Sequence, residues 1–241
     1  MKIIYLLLIS LILTVSHGAE LEKSRLKSDS SFLDVKSGTV IYKDNVIYQH
    51  GNMTIKAETL TKIGENNGTL TATGNPVTIH YQDQNGETTD ISAPMIQYHQ
   101  LSGNLSANGN IIIVQKADRE QLTLKGNHLT ANQQITNGFS FILKGQPTEF
   151  ELQQPKQEMI IATANQLRSN GKDKKTQLVG NVMLQQGTSS MAAAILTYDG
   201  TSKIISADKS DNDQQRVETE FFWRQENHDS KKPANTTQED Q

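Results

Sequence analysis

Histidines, and serines three places ahead of a lysine, are the residues of this chain whose types could perform chemistry. His17, His50, His80, His99, His128 and His228 stand far apart, and none forms a metal-ligand pair such as H-x-x-H. Ser24-Arg25-Leu26-Lys27 and Ser169-Asn170-Gly171-Lys172 spell S-x-x-K, in which a lysine can activate a serine nucleophile. Neither sits where a helix should open, and the companion motifs are missing. Asp83-Gln84-Asn85-Gly86 has half of a calcium loop, but Pro94 stands where the closing glutamate would be needed, so the segment reads as a hairpin turn. The N-x-S/T triplets at Asn52, Asn67, Asn104 and Asn235 would be glycan acceptors only in a eukaryotic secretory path. With no cysteine anywhere, disulfides, thiolate zinc sites, iron–sulfur clusters and thiol catalysis are excluded together. The reading is a protein that is not an enzyme and needs neither metal nor cofactor.

The elements that position these residues are bounded by composition. The chain has 241 residues, 23 Lys+Arg against 26 Asp+Glu, and only 35% hydrophobic residues. Its net charge of −3 lacks the basic footprint of a general nucleic-acid binder. Aromatic residues make up 5%, too few for the stacking platforms of a polysaccharide-active β-solenoid. Lys2, the apolar run Ile3 to Val15 and the small residues near Gly18 and Ala19 read as a signal peptide over residues 1–19, cut after Gly18 or Ala19. That run is shorter than the roughly 20 residues a spanning helix needs. No cysteine follows it to carry a lipid anchor. The expected product is soluble and exported, with a fold over residues 20–223 and a polar, disordered tail over residues 224–241.

A repeat organises the fold. Asp44-Asn45, Gly74-Asn75, Gly109-Asn110, Gly145-Gln146 and Gly180-Asn181 recur every 30 to 36 residues, each between two runs of alternating apolar residues. Val40 and Tyr42 precede the first pair and Val46 and Tyr48 follow it. Ile111 and Ile113 follow the third, Phe141 and Leu143 precede the fourth, and Val182 and Leu184 follow the fifth. Alternation on both sides of a turn-prone pair predicts strand, tight bend, strand. Every unit then carries a small residue with an apolar one three places on: Ala57/Leu60, Ala93/Ile96, Gly126/Leu129, Ala164/Leu167 and Ala193/Leu196. Pro76 and Pro147 occur only in the second and fourth units, where the apolar offsets change parity. A one-residue slip turns every later side chain to the other face, so each proline is expected to mark a bulge that restores register. Asn66-Asn67-Gly68, Asn85-Gly86, Asn137-Gly138, Asn170-Gly171 and Asp199-Gly200 are hairpin signals. Helix competes poorly, even over Ser190 to Leu196.

The runs Asp44 to Gly51, Gly74 to Val77 and Gly180 to Gly187 are similar to the OstA-type repeat. In their order and spacing, over about residues 24 to 223, they resemble the LptA/OstA-like family of periplasmic lipopolysaccharide-transport bridge proteins. The resemblance implies an all-β fold, a long antiparallel β-jellyroll, slightly twisted, with an open apolar groove between two sheets. It implies binding of lipid A acyl chains, a periplasmic location and a head-to-tail homo-oligomer. It also implies neighbours of the same fold: an inner-membrane-tethered component on one side and an outer-membrane component on the other. Ile79, Ile96 and Tyr98 match groove-lining positions of the family. Parity groups Val40, Tyr42, Val46, Tyr48, Ile111, Ile113, Phe141, Leu143, Val182 and Leu184 on inward faces with them. Edges are expected around Ser24 to Val35 and Val217 to Phe222, with Leu26, Leu33, Val217 and Phe221 as end-to-end contacts. In the opening strand Leu26 stands as the one apolar residue between Ser24 and Ser28, where the family alternates. The competing reading is a structural β-repeat scaffold whose apolar faces meet without a ligand. The low apolar fraction favours the carrier, since it suits a sparse lining better than a filled core.

Overall fold

The computed structural model describes residues 24–64, 68–117, 119–134, 138–208 and 217–220. These residues form fourteen strands and no helix. The strands are β1 (Arg25–Lys27), β2 (Ser30–Asp34), β3 (Thr39–His50), β4 (Met53–Ile63), β5 (Thr69–Gln82), β6 (Thr88–His99) and β7 (Asn104–Ala117). They continue with β8 (Glu120–Gln134), β9 (Gly138–Gln153), β10 (Ile160–Asn170), β11 (Lys175–Gln186), β12 (Ser189–Asp199), β13 (Ile204–Asp208) and β14 (Glu218–Glu220). From β3 to β12 each strand pairs antiparallel with the next, as expected for a meander of apolar/polar alternation closed by short turns. The proposed signal peptide, Phe221 and residues 224–241 lie outside the described residues.

The repeat pairs are not hairpin bends, as alternation around them suggested; they sit in the middle of long strands. In β3 the register with β4 slips between Lys43 and Val46, around Asp44-Asn45. Asp44 and Asn45 have φ of 62° and 51°, Gly109 100°, and Gly180 and Asn181 79° and 49°, a region that Gly, Asn and Asp tolerate best. Of the expected hairpin signals, Asn85-Gly86, Asn170-Gly171 and Asp199-Gly200 fall at turns between strands, while Asn66-Asn67 and Asn137 lie outside the described residues.

The two proline-bearing units differ in the predicted way. In β7, three steps from Asn108 to Ile111 oppose two in β8, from His128 to Gly126: one extra residue. In β5, four steps from Thr73 to Val77 oppose two in β6, from Met95 to Ala93: two extra residues. β9 repeats this, with Lys144 to Thr148 opposing Gln166 to Ala164. The parity change in the sequence is therefore the difference between one and two bulged residues. Pro76 and Pro147, which lack the N–H a ladder needs, occupy the wider bulges, and both follow cis peptide bonds.

A line of bulges across ten strands folds the sheet along a hinge. Half I contains β1, β14, the C-terminal parts of β3, β5, β7, β9 and β11, and the N-terminal parts of β4, β6, β8, β10 and β12. Half II contains β2, β13 and the complementary parts. The two sheets of the expected jellyroll are thus two halves of one. Ala57, Ala93, Gly126, Ala164 and Ala193 lie on the hinge line, Ala57 half-buried and the others buried. A Cβ on Gly126 would stand 2.7 Å from Leu143 Cγ.

Candidate functional site

Cross-strand pairing lines up the inward residues in rows. In half I one row runs Leu26–Tyr48–Ile55–Ile79–Ile91–Ile113–Leu124–Phe150–Ala162–Leu184–Met191–Thr219. In half II the row beside the hinge runs Ser31–Tyr42–Leu60–Ala72–Ile96–Ala107–Leu129–Leu143–Leu167–Leu178–Leu196–Ala207. A second row in half II runs Leu33–Val40–Lys62–Leu70–Tyr98–Leu105–Ala131–Phe141–Ser169–Thr176–Tyr198–Ile205. These rows form one apolar cluster from β3 to β12.

Every residue expected to line the groove and described here points into that interior. Val46, Tyr48, Ile79, Ile96, Tyr98, Ile111, Ile113, Phe141, Leu143 and Val182 are buried. Val40, Tyr42 and Leu184 are half-buried. The alternation also implied inward residues that were not singled out as lining: Ile55, Leu60, Leu124, Leu129, Phe150 and Leu167 are all buried at 2% exposure or less. Leu60, Leu129 and Leu167 carried a sequence signal, the apolar position three places beyond the small hinge residue.

Contacts between the halves are laterally displaced. Tyr48 of β3 accepts a hydrogen bond at its hydroxyl from Gln100 Nε2, at the end of β6, 3.1 Å away. Phe150 of β9 meets the ring of Tyr198 on β12 edge to face, with centroids 6.1 Å apart. Glu120 at the start of β8 accepts from the Tyr198 hydroxyl at 3.1 Å. In each of these contacts a residue of half I faces one three or more strands further along half II, the result expected of twisted sheets. Both ends of the sheet are stepped. Half II overhangs at the first strands, where Leu33 is 56% exposed and Val40 and Tyr42 are half-covered. Half I overhangs at the last strands, where Leu184 and Met191 are half-buried and Thr219 is exposed. Of the expected end contacts, Leu26 is half-buried at the first edge, and Val217 is 41% exposed beside β14.

The interior is drawn together along the hinge and parts at the opposite, open edge. There a cleft of about 460 Å³ lies between the β5–β9 end of half I and the β10–β12 end of half II. Leu122 and Leu152 of half I and Tyr198 of half II form its apolar floor. Its rim is charged. Lys174 Nζ lies 2.5 Å from Glu87 Oε1, and Lys203 Nζ 2.5 Å from Glu120 Oε2; both pairs join the two halves. Glu120 also accepts from Gln154 Nε2 at 2.9 Å. Burial pushes the Glu120 carboxyl up, but the bonds from Lys203, Gln154 and Tyr198 outweigh it and hold it below the ordinary glutamate value. Burial, reinforced by the Glu120 charge, raises the Tyr198 phenol above its usual range.

Three of the histidines have local side-chain partners. His80 bonds Asp90 at 2.7 Å, His99 bonds Thr69 at 3.0 Å and His128 bonds Asn108 at 2.5 Å. Asp83 closes the β5–β6 turn by accepting from the backbone N–H groups of Asn85 and Glu87, as a hairpin turn requires. Among the described residues no group of three or more acidic or histidine side chains is placed to hold a metal.

Comparison with known proteins gives three findings. The family described as "LptA/(LptD N-terminal domain) LPS transport protein" matches residues 25–134 and 90–204. The lipopolysaccharide export system protein LptA of Haemophilus influenzae is 32% identical over 105 residues, which are 42% of this chain and 58% of that protein. The match therefore spans little more than half the length of that curated relative. The crystal structure of LptH, the LptA homologous periplasmic component of the lipopolysaccharide transport device of Pseudomonas aeruginosa, aligns with 83% of this chain and 96% of its own at 14% identity and a TM-score of 0.31.

Proposed function

Because the chain belongs to the family of LptA and LptD N-terminal-domain lipopolysaccharide transport proteins, we propose that it is a periplasmic carrier that holds the lipid A part of lipopolysaccharide between its half-sheets. In this role it helps move the lipid from the inner to the outer membrane. One observation carries the reading: the inward rows form a mainly apolar face that runs from β3 to β12 and is only half-covered at both edges. An acyl chain gains about 0.8 kcal/mol for each methylene kept from water, so cover must be continuous along its path. Residues 1–19 act in this reading as a cleaved signal, and residues 20–223 as the carrier domain.

The stepped ends suit head-to-tail joining. The overhanging inner face of half I at β11, β12 and β14 would be covered by the overhanging half II of the next copy, at its β2 and β3. Both joins would continue the antiparallel alternation, with Thr219 opposite the next copy's Leu26 and Ile205 opposite its Leu33. On the outer face, Glu218 and Glu220 would meet Lys27 and Arg25. Inner-membrane-tethered and outer-membrane components of the same fold would take the same ends.

The buried interior favours a second reading, a scaffold whose apolar faces simply pack together. A photoreactive residue at Ile79 or Tyr98, with His80 as an outward control, separates the two. The carrier predicts labelling of lipopolysaccharide from the inward sites alone; labelling from none of them, or from all alike, leaves the scaffold.

A further inference from the structure

We propose that the charged rim of the open edge is a clasp released by counter-ion exchange. An anionic phosphate on the headgroup of an acylated lipid takes the place of Glu87 on Lys174 and of Glu120 on Lys203, and the half-sheets part there to admit the acyl chains. The inference rests on the carrier reading and adds to it where the lipid enters and which chemistry its headgroup must have.

The argument starts from what holds the edge. Strand ladders fix each half, but at the cleft the halves are joined through side chains, and two of those joins are ion pairs between residues 87 and 83 positions apart in the chain. Side chains in these pairs are between 17% and 43% exposed. Pairs in such contact with water contribute at most about 1 kcal/mol, so their exchange costs little. Beneath them lie Leu122 and Leu152, on the same inward face as the buried interior. A ligand passing this edge must therefore separate the pairs, and one carrying an anion gives each lysine a new counter-ion. Lysine to phosphate is a charge-assisted bond at least as strong as the one it replaces.

The rim also explains why an anion alone would not suffice. Lys116, Lys174 and Lys203 are balanced by Asp83, Glu87 and Glu120, all on the cleft wall, so no net positive charge draws an anion in. The gain comes only when acyl chains enter the interior at the same time. Inorganic phosphate lacks the chains, and a neutral lipid leaves two lysines without the carboxylates it has displaced.

The absence of native cysteine allows a direct test on the full mature chain. The double variant E87C/K174C is bridged by a short thiol crosslinker that a reductant cleaves. Binding of lipopolysaccharide is then compared before and after reduction. In parallel, K174Q/K203Q and the wild type are titrated with lipopolysaccharide, with the same material after enzymatic dephosphorylation, and with inorganic phosphate. Bridging should reduce binding by about tenfold, reversed by reductant, and K174Q/K203Q should lose about tenfold for the phosphorylated ligand alone. Inorganic phosphate should not bind measurably to either protein. Equal binding by the bridged and reduced forms, or an equal loss of phosphorylated and dephosphorylated ligand, overturns the clasp and leaves the carrier standing. A wild type that binds neither lipid overturns the carrier reading itself, and the clasp with it.

Discussion

The hinge and the open edge are the two long margins of the same folded sheet, and they are built from opposite materials. Along the hinge, Leu60, Leu129, Leu143, Leu167, Leu178 and Leu196 are fully buried, and alanine or glycine faces each bulge. At the open edge the contacts between halves are a tyrosine, two carboxylates and two lysines around a cleft. Close packing makes one margin intolerant of a single methyl, whereas exposed ion pairs can break and reform. The molecule is stable along one line and adaptable along the other. The carrier proposed above would need that division, since it must hold its shape while its faces part.

Substitutions can break this comparison, beginning at the hinge. Leu143→Ala should cost about 2–5 kcal/mol in denaturant unfolding, through lost burial and the cavity left beside Gly126. A cost under 1 kcal/mol would mean that the hinge is as loose as the edge. Gly126→Ala should cost less, about 1–3 kcal/mol, because the new Cβ would lie 2.7 Å and 2.8 Å from Leu143 Cγ and Cδ1 and 2.9 Å from the Lys144 carbonyl oxygen. A sharper measurement combines the two. Removing Leu143 opens the space that the added methyl needs, so G126A/L143A should be destabilised by less than the sum of the single costs. Strict additivity would show that the methyl is resisted by the Lys144 backbone and not by the leucine.

The hinge was more legible in sequence than the edge, and the reason is range. Period-two alternation and the small-residue positions are local, so Leu143 and Ile111 were identified as inward from their neighbours alone. The bulge pairs are visible in the sequence but read as turns: Gly109-Asn110 and Gly180-Asn181 have the composition of a hairpin turn because bulge and turn both need positive φ. Whether such a pair reverses the chain or only bends it depends on the strands beside it. Parity places Val40, Tyr42 and Leu184 with fully buried residues, yet they are half-buried and fall on the overhangs, whose extent is set by the displacement of the two halves. Twist decides that displacement, and no local pattern encodes it. Glu87 with Lys174, and Glu120 with Lys203, are brought together only by the complete fold.

The smallest effect belongs to the edge and is best read against pH. Glu120→Gln keeps one acceptor oxygen for Lys203 and Tyr198 but gives up the acceptor for Gln154 and removes the charge, so the loss at neutral pH should be about 1 kcal/mol. Acid should reveal more. The folded Glu120 pKa lies below its ordinary value of 4.5, so the unfolded chain binds its proton first as pH falls. Its contribution is fully present above pH 4.5 and is lost as pH drops through the folded value. Unfolding free energies measured from pH 7 downward should therefore converge for wild type and Glu120→Gln below pH 4.5. A constant gap across that range would assign the loss to packing around Tyr198, making this part of the edge as rigid as the hinge. Convergence would show that charge holds the edge shut, and that whatever replaces the charge can open it.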